Sequence, residues 1–582
     1  MLNGRESNIP HWIFCGLFIN KARGMSDSIK EMLVRSANQF GAETAMLQKK
    51  NKVWVPVTYG RLFQRVRSIS QILQQHGVQH GDRVALWREN HPEWVEAYLG
   101  IVCMGAVAVP IDAKLRPQEA THIFQDSQAR VLFTGARYYP QISEIEEALE
   151  YLEIVIITDL DKAEPDSDAL TYRDYHASIE EAWPEADGVE SAFDDSNVRA
   201  DDLASLIYTS GTTGRAKGVM LSHGNFMSNV NGAGNIWPFG KDDNFLLVLP
   251  LHHAFAFTGN MLLPLSVGAT ISFVQNLRTV GDNMRELRPT FFMAVPLLLE
   301  KMYNKMQDGL KTNKTATLMM KVGLGFIVRK GIAKKLGGRM KVVITGAAPC
   351  DPEIIVGFRK LGIHVLEGYG LTEASPVLTA NLPGKTKPGT VGVPFTGVDI
   401  KINNPNENGV GEVVARGANI MKGYFNLPEA TEEVMDGEWL LTGDLGVVDE
   451  DGYLTITGRK KSLIVNREGK NIYPEEVELA INQSPYILEC LVLGYQEKDQ
   501  QVGERVGVVV VPDLERLGAE RPELALKDEA LENLVKEEVK RQVSALSDYK
   551  RPRQIRIRYE EFQKTSTQKV KRYLYKLGME EL

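Results

Sequence analysis

The run Leu203-Ala-Ser-Leu-Ile-Tyr208 is short, mostly apolar and reads as a buried strand. It leads directly into Thr209-Ser-Gly-Thr-Thr-Gly-Arg-Ala-Lys217 and then Gly218-Val219. Three glycines, a run of hydroxyls and one lysine therefore fall within the eleven residues from Thr209 to Val219. A strand ending in such a turn can cradle phosphate. Glycines allow close approach, peptide N–H groups and hydroxyls donate, and the lysine supplies charge. The nucleotidase P-loop requires G-x-x-x-x-G-K-[ST]. Counted from Gly211, the second glycine position holds Ala216 and the Ser/Thr position holds Gly218, so this is a different phosphate loop. A flexible surface turn is the competing reading for so many small polar residues.

At 582 residues the chain exceeds one hydrophobic core and is expected to form two or more domains. With 43% hydrophobic and 24% charged residues it is globular, neither disordered nor membrane-spanning. A net charge of −8 argues against general nucleic-acid binding. Cys15, Cys103, Cys350 and Cys490 are scattered without paired spacing, which gives no support to thiol catalysis and suits a reducing cytoplasm. Residues 1–24 form an atypical extension. The eight-residue apolar run Trp12–Ile19 is too short to span a bilayer, and no A-x-A-like cleavage site follows it. Met25 is expected to be the true start, or the run to be a loose tail in peripheral contact with a membrane.

Downstream, Trp54–Tyr59 reads as a strand and Gly60–His76 as an amphipathic helix, with Leu62, Val66, Ile69 and Leu73 at helical steps. Gly81–Trp87 reads as turn and strand. Asn90-His-Pro-Glu93 opens a helix that Gly105 ends before the strand Ala106–Ile111. This βαβ rhythm predicts a parallel sheet. Leu246–Phe257 reads as an apolar strand that carries His252 and His253. Packed, hydrogen-bonded histidines are the plain reading, and no third ligand of suitable spacing supports a metal. Phe255, Phe257, Met261 and Leu262, with the strand Phe291–Pro296, would suit an acyl tail, although such clusters are more often core. Lys341–Pro349 and His364–Glu373 are two further strands breaking into glycine turns. Ligands of doubly wound sheets bind beyond the carboxyl ends of strands, so the ends before Thr209, Gly346 and Gly368 are expected to converge on one nucleotide. Tyr369 offers a ring face, Thr372 a hydroxyl and Glu373 a hard oxygen for Mg²⁺. Asp159–Asp202 reads as an acidic surface excursion. Asp513–Val543 reads as a solvated helix, with Leu531, Leu534, Val535, Val539 and Val543 at helical spacing.

Tyr208-Thr-Ser-Gly-Thr-Thr-Gly-x-x-Lys-Gly-Val219 resembles the signature of the adenylate-forming superfamily of acyl-CoA synthetases, luciferases and peptide-synthetase adenylation domains. Five later stretches resemble its successive motifs in order: Ile344–Pro349, Glu367–Glu373, Leu441–Asp444, Gly458–Lys461 and Gly469–Glu478. The resemblance implies an α/β fold. A large N-terminal domain over 25–458 would hold stacked, mostly parallel sheets and a β-barrel-like subdomain. A small mobile α+β domain over 459–582 would follow, hinged near Lys461. It further implies that Thr209, Ser210, Gly211, Thr212, Thr213, Gly214 and Lys217 hold the ATP phosphates. Gly346 and Ala347 would flank the adenine, with Glu367, Gly368 and Tyr369 on its other side. Thr372 would touch the α-phosphate, Thr209 and Glu373 would hold Mg²⁺, and Asp444 and Arg459 would bind the ribose. His252, His253 and Gly469 would lie on the acyl and CoA side.

Lys564–Lys569 resembles the C-terminal motif that carries the catalytic lysine, here Lys569. Gln568 stands where the family has glycine, which alters the backbone angles open to the loop. The implied activity is activation of a fatty acid, long-chain by overall likeness to bacterial fatty-acid ligases, with ATP, followed by transfer to CoA. Acyl carrier protein as acceptor and an aryl or medium-chain acid stay open, as does a non-catalytic nucleotide-binding scaffold.

Overall fold

The computed structural model describes residues 26–163, 165, 169–182, 192–210, 215–322, 324–496, 503–522, 529–565 and 570–575. The readings placed on residues 1–25, on Gly211 to Gly214 and on Gln568 and Lys569 lie outside these.

Two large sheets carry the chain. The first runs Val393–Pro394, Val377–Ala380, Val365–Gly370, Val342–Thr345, Phe291–Ala294, Asn244–Leu247, Thr270–Phe273, Thr44–Lys50 and Val53–Thr58. Its six strands from Val365–Gly370 to Thr44–Lys50 are parallel and its edges antiparallel. The second runs Gly423–Tyr424, Ala216–Ser222, Leu203–Ser210, Val107–Ile111, Arg83–Trp87, Val131–Gly135, Ile154–Thr158 and Thr171–Asp174. It is parallel from Leu203–Ser210 onward. The expected βαβ unit is present: Arg83–Trp87, helix Pro92–Cys103 and Val107–Ile111. All twelve residues of that helix are buried, as an apolar helix between layers must be. Helix Tyr59–Gln75, capped by the Thr58 hydroxyl, packs its Leu62, Val66, Ile69 and Leu73 stripe into the same core.

Beyond these sheets, Val398–Asn403, Gly411–Gly417, Met435–Asp436, Trp439–Val448 and Leu454–Arg459 form a five-stranded antiparallel half-barrel. The C-terminal part is a hairpin, Ile464–Val465 with Asn471–Ile472, and a three-stranded sheet of Ile487–Tyr495, Arg505–Pro512 and Gln554–Ile557. Helices Pro474–Ile481 and Glu529–Gln542 cover that sheet. Leu531, Val535, Val539 and Val543 are buried, so the helix expected to be solvated has one packed stripe.

Two expectations need correction. The strand read over Leu246–Phe257 ends at Leu247; Pro250 cannot donate to a ladder, and Ala254–Ala256 and Phe257–Leu262 are helical, the latter a π-turn. The acidic stretch Asp159–Asp202 is not wholly a surface excursion. Thr171–Asp174 extends the second sheet, and Tyr175 and Phe193 are buried in the main core. Periodicity is too short there to reveal these anchors.

Tyr175 belongs to a buried polar network. Its hydroxyl donates to Glu96 at 2.8 Å, and Arg65 donates to the other carboxylate oxygen at 2.6 Å. Glu96 is fully buried, so removal of its cation leaves an uncompensated charge. Arg65→Met is expected to destabilise by about 3–5 kcal/mol. Arg65→Met combined with Glu96→Leu should recover most of that loss, as read from urea unfolding midpoints.

Candidate functional site

At Tyr369 the strand Val365–Gly370 meets the half-barrel, with the turn at Gly346 beside it and a hairpin linked through Glu373. The phosphate-loop strand, Leu203–Ser210, does not run into a helix. It forms an antiparallel hairpin with Ala216–Ser222, pairing Thr209 with Lys217 and Ser210 with Ala216. Gly218 allows the returning strand to pass Tyr208, whose ring would lie 3.0 Å from any Cβ there. The Lys217 ammonium sits 4.9 Å from the centre of the Tyr424 ring. The Tyr424 hydroxyl in turn donates to Glu373 Oε1 at 2.8 Å. Met421 N donates to the Glu373 carbonyl at 2.9 Å, which fixes the acid beside the hairpin.

Strand Val342–Thr345 ends at Gly346 and Ala347, and strand Val365–Gly370 lies beside it. A Cβ on Gly346 would come within 2.8 Å of the Gly368 carbonyl, so the Gly346 turn packs on the strand, which runs on through Gly368 to Gly370, only because glycine stands there. Ala347 holds φ at 69°, a left-handed backbone that costs a non-glycine residue on the order of 1 kcal/mol and concentrates at ligand sites. Thr372 and Glu373 follow in a single 3₁₀ turn, Thr372–Ala374.

Asp444, almost fully buried, projects from strand Trp439–Val448. Tyr369 Oη donates to its Oδ2 at 2.7 Å, and Arg459 Nε reaches its Oδ1 at 2.8 Å. Asp444 and Arg459 are cross-strand partners, which explains how residues from two motifs meet. Each carboxylate oxygen keeps a further lone pair, so two diol hydroxyls could still be accepted.

Glu367 faces the adjoining strand and pairs in register with Thr345. Its Oε2 and the Thr345 hydroxyl are both buried without a protein hydrogen-bond partner. Burial pushes its carboxyl up to about 7, against a smaller opposing effect from the Cys350 backbone N–H. A buried, half-satisfied acid one residue before Gly368, against which the Gly346 turn packs, is a candidate ligand-facing position.

Lys461 is exposed in the 3₁₀ turn Lys460–Ser462, immediately after the last half-barrel strand. Lys460 ties this turn back to Glu412 at 2.8 Å. Gly469 is exposed at the tip of the hairpin that follows. The base of the Lys569 loop is held by a bridge between Lys564 and Val570. Arg572 adds an ion pair to Glu478, a largely buried acid that desolvation raises to about 7. Lys571, two residues past Lys569, pairs with Glu119 at 3.3 Å. On the same helix as Glu119, His122 bonds the carbonyl of Ala216 at 3.0 Å. The loop base therefore neighbours the phosphate hairpin.

The histidines were read with no third ligand in sequence. The fold supplies one: Asp112, His252 and His253 place one ligand atom each within 4.8 Å of one another, and His252 Nε2 lies 3.4 Å from Asp112 Oδ1. Asp112 is 140 residues away and follows strand Val107–Ile111, so spacing could not reveal it. Of the apolar side chains read as tail lining, Phe257, Met261 and Leu262 belong to the main core, where Phe257 packs against Tyr98 and Phe226. Phe255 instead joins a separate cluster with Leu249, Ala256, Met293 and Val295 just beyond the strand ends. Tyr424 and Asp112 carried no motif signal, and only folding exposes their roles.

Glu367 gives a pH test. Its folded carboxyl holds a proton that the unfolded one has lost between about 4.5 and 7, so stability falls as pH rises through that window. Glu367→Gln cannot ionise. Its unfolding midpoint should gain on wild type by the equivalent of roughly 1–3 kcal/mol on going from pH 5 to pH 8. An unchanged difference would contradict the assignment.

Residues 33–425 match the family model described as AMP-binding enzyme, and residues 476–569 match its C-terminal domain. The chain is 31% identical over 471 residues to the long-chain-fatty-acid–CoA ligase FadD15 of Mycobacterium bovis, covering 76% of each. It is 30% identical to a long-chain-fatty-acid–CoA ligase of Yersinia pestis, over 83% of this chain and 85% of that one. Among solved structures, ATP-bound MatB from Rhodopseudomonas palustris superposes with a TM-score of 0.73 at 26% identity, covering 94% and 98%. The family models together match most of the length of the chain. The chain belongs to the AMP-binding enzyme family.

Proposed function

We propose that this protein is a fatty-acid–CoA ligase that converts a long-chain acid, ATP and CoA into acyl-CoA, AMP and pyrophosphate. The contact of Tyr369 with the Asp444–Arg459 pair, the Gly346 turn packed on Gly368 and the hairpin linked to Glu373 through Lys217 and Tyr424 carry this reading. The names of the M. bovis and Y. pestis relatives support the acid and the acceptor. The ATP-bound relative supports the nucleotide.

In this reading Gly346, Ala347, Glu367, Gly368 and Tyr369 enclose the adenine, and Asp444 accepts the ribose hydroxyls with Arg459 beside it. The hairpin tip from Thr209 to Gly214 and Lys217 take the β- and γ-phosphates, and Thr372 takes the α-phosphate. Thr209 and Glu373 present hard oxygens beside Lys217, a donor set that fits Mg²⁺ shared with phosphate. The ion, when bound, neutralises phosphate charge. The acid carboxylate must attack a phosphorus that already carries negative oxygens, so positioned cations and N–H donors lower the barrier. Lys569 is assigned to that charge, and its loop base beside the phosphate hairpin agrees with this role. No enzyme nucleophile is required.

The resulting mixed anhydride is then attacked by the CoA thiol. We assign 25–458 and 459–582 as the two domains. A rotation about Lys461 between half-reactions would exchange Lys569 for Gly469 at the site, a hinge-type closure. The tail of the acid is assigned to the cluster of Leu249, Phe255, Met293 and Val295, which borders Gly259 in the π-turn. A side chain at Gly259 would press on Met293.

Three outcomes are expected. Lys569→Ala should lower acid-dependent ATP–pyrophosphate exchange by about a hundredfold or more, and survival of exchange would refute its role. Gly259→Leu should shift the preferred acid to a shorter chain while exchange with a short acid persists, measured across acids of graded length. Thioester formation should require CoA; AMP release indifferent to CoA, or transfer only to acyl carrier protein, would overturn the ligase reading.

A further inference from the structure

From Gly309 to Cys350 the chain contains nine lysines and arginines and no aspartate or glutamate, within a protein of net charge −8. This segment folds into the end of helix Pro296–Thr312 and helices Lys314–Lys321 and Gly325–Lys335. Six of the eighteen large apolar side chains left exposed among the described residues lie here, between Leu318 and Ile327. They are Leu318, Met320, Val322, Leu324, Phe326 and Ile327, and Leu318, Val322 and Phe326 are each more than half exposed. Elsewhere such residues are scattered singly or in pairs, which is ordinary for a soluble surface.

The exposure is not a sign of a poorly packed element. Val328, Ile332 and Leu336 on the opposite side are buried against Leu246, Met284 and Phe292. The hairpin is therefore anchored by one face and presents the other. Lys311, Lys314 and Lys321 lie exposed along one arm, and Arg329, Lys330, Lys334 and Lys335 along the other, so cations rim an apolar tip.

We propose that this tip docks on an anionic lipid bilayer. Apolar side chains entering the acyl boundary with cations at headgroup level is the arrangement of interfacial helices. The composition favours lipid over a protein partner, because lysine is depleted from protein interfaces while its long stem suits the headgroup layer. Seven of the nine cations are lysine. This surface is distinct from residues 1–24. The docking rests on the surface alone; its use to collect a membrane-dissolved acid rests on the proposed function. Helix Pro296–Thr312 begins beside the acyl cluster and, at 17 residues, carries the chain roughly 25 Å to the tip.

The test is flotation of the full chain with phosphatidylglycerol-containing vesicles and with pure phosphatidylcholine vesicles. Binding is expected to the anionic vesicles and to weaken with salt. Two exposed-site variants are compared: Leu318→Ser with Phe326→Ser, and Lys330→Glu with Lys334→Glu and Lys335→Glu. Each should lower partitioning by roughly tenfold or more, while exchange with a short water-soluble acid stays at the wild-type rate. Wild-type-like flotation of both variants would overturn the proposal. So would a wild-type chain that ignores vesicles and forms a dimer that the apolar variant breaks, by light scattering.

Discussion

A buried carboxylate holds this architecture to its purpose. Asp444 is withdrawn from water, and its charge is tolerated because Arg459 and the Tyr369 hydroxyl each engage one oxygen. Those partners come from different sheets: Arg459 from the neighbouring half-barrel strand, Tyr369 from the third strand of the nine-stranded sheet. The Arg459 ion pair thus holds the charge within the half-barrel, and the Tyr369 hydrogen bond fixes the half-barrel against the nine-stranded sheet. The glycine turns then matter because they let Gly346 and Gly368 lie nearly in contact beside Tyr369. The phosphate hairpin is joined to the same point through Lys217, Tyr424 and Glu373.

Local chemistry was legible in the sequence, and distant pairing was not. The strand Leu203–Ser210, the strand ending at Gly346 and the first βαβ unit follow from patterns within a few residues of one another, whereas the strand expected to end before Gly368 runs on to Gly370 and pairs with Val377–Ala380. The order of the later motifs carried the family resemblance and with it the expectation that Asp444 and Arg459 serve one ribose; that the two pair with each other is seen only in the fold. Asp112 beside His252, Tyr424 between Lys217 and Glu373, and Tyr175 against Glu96 join residues far apart along the chain. No periodicity records such contacts. The misread strand at Leu246–Phe257 shows the opposite failure, since an unbroken apolar run fits a strand and a helix equally well and Pro250 decided the matter.

The charge pattern of 309–350 shows the same division. Its cations are plain in the sequence, but that Leu318 to Ile327 face outward while Val328 and Ile332 face the core depends on how the hairpin packs. A single helix, Pro296–Thr312, leads to this tip, and its first turn borders the cluster of Leu249, Met293 and Val295 to which the acyl tail is assigned.

The most direct measurement of the central claim is a crystal structure of the protein with a non-hydrolysable acyl-sulfamoyl adenosine. The ribose hydroxyls should rest on Asp444, the adenine should lie between the Gly346 turn and Tyr369, and the acyl chain should enter the cluster of Leu249, Met293 and Val295. A nucleotide bound away from Asp444, or an acyl chain directed elsewhere, would contradict the account.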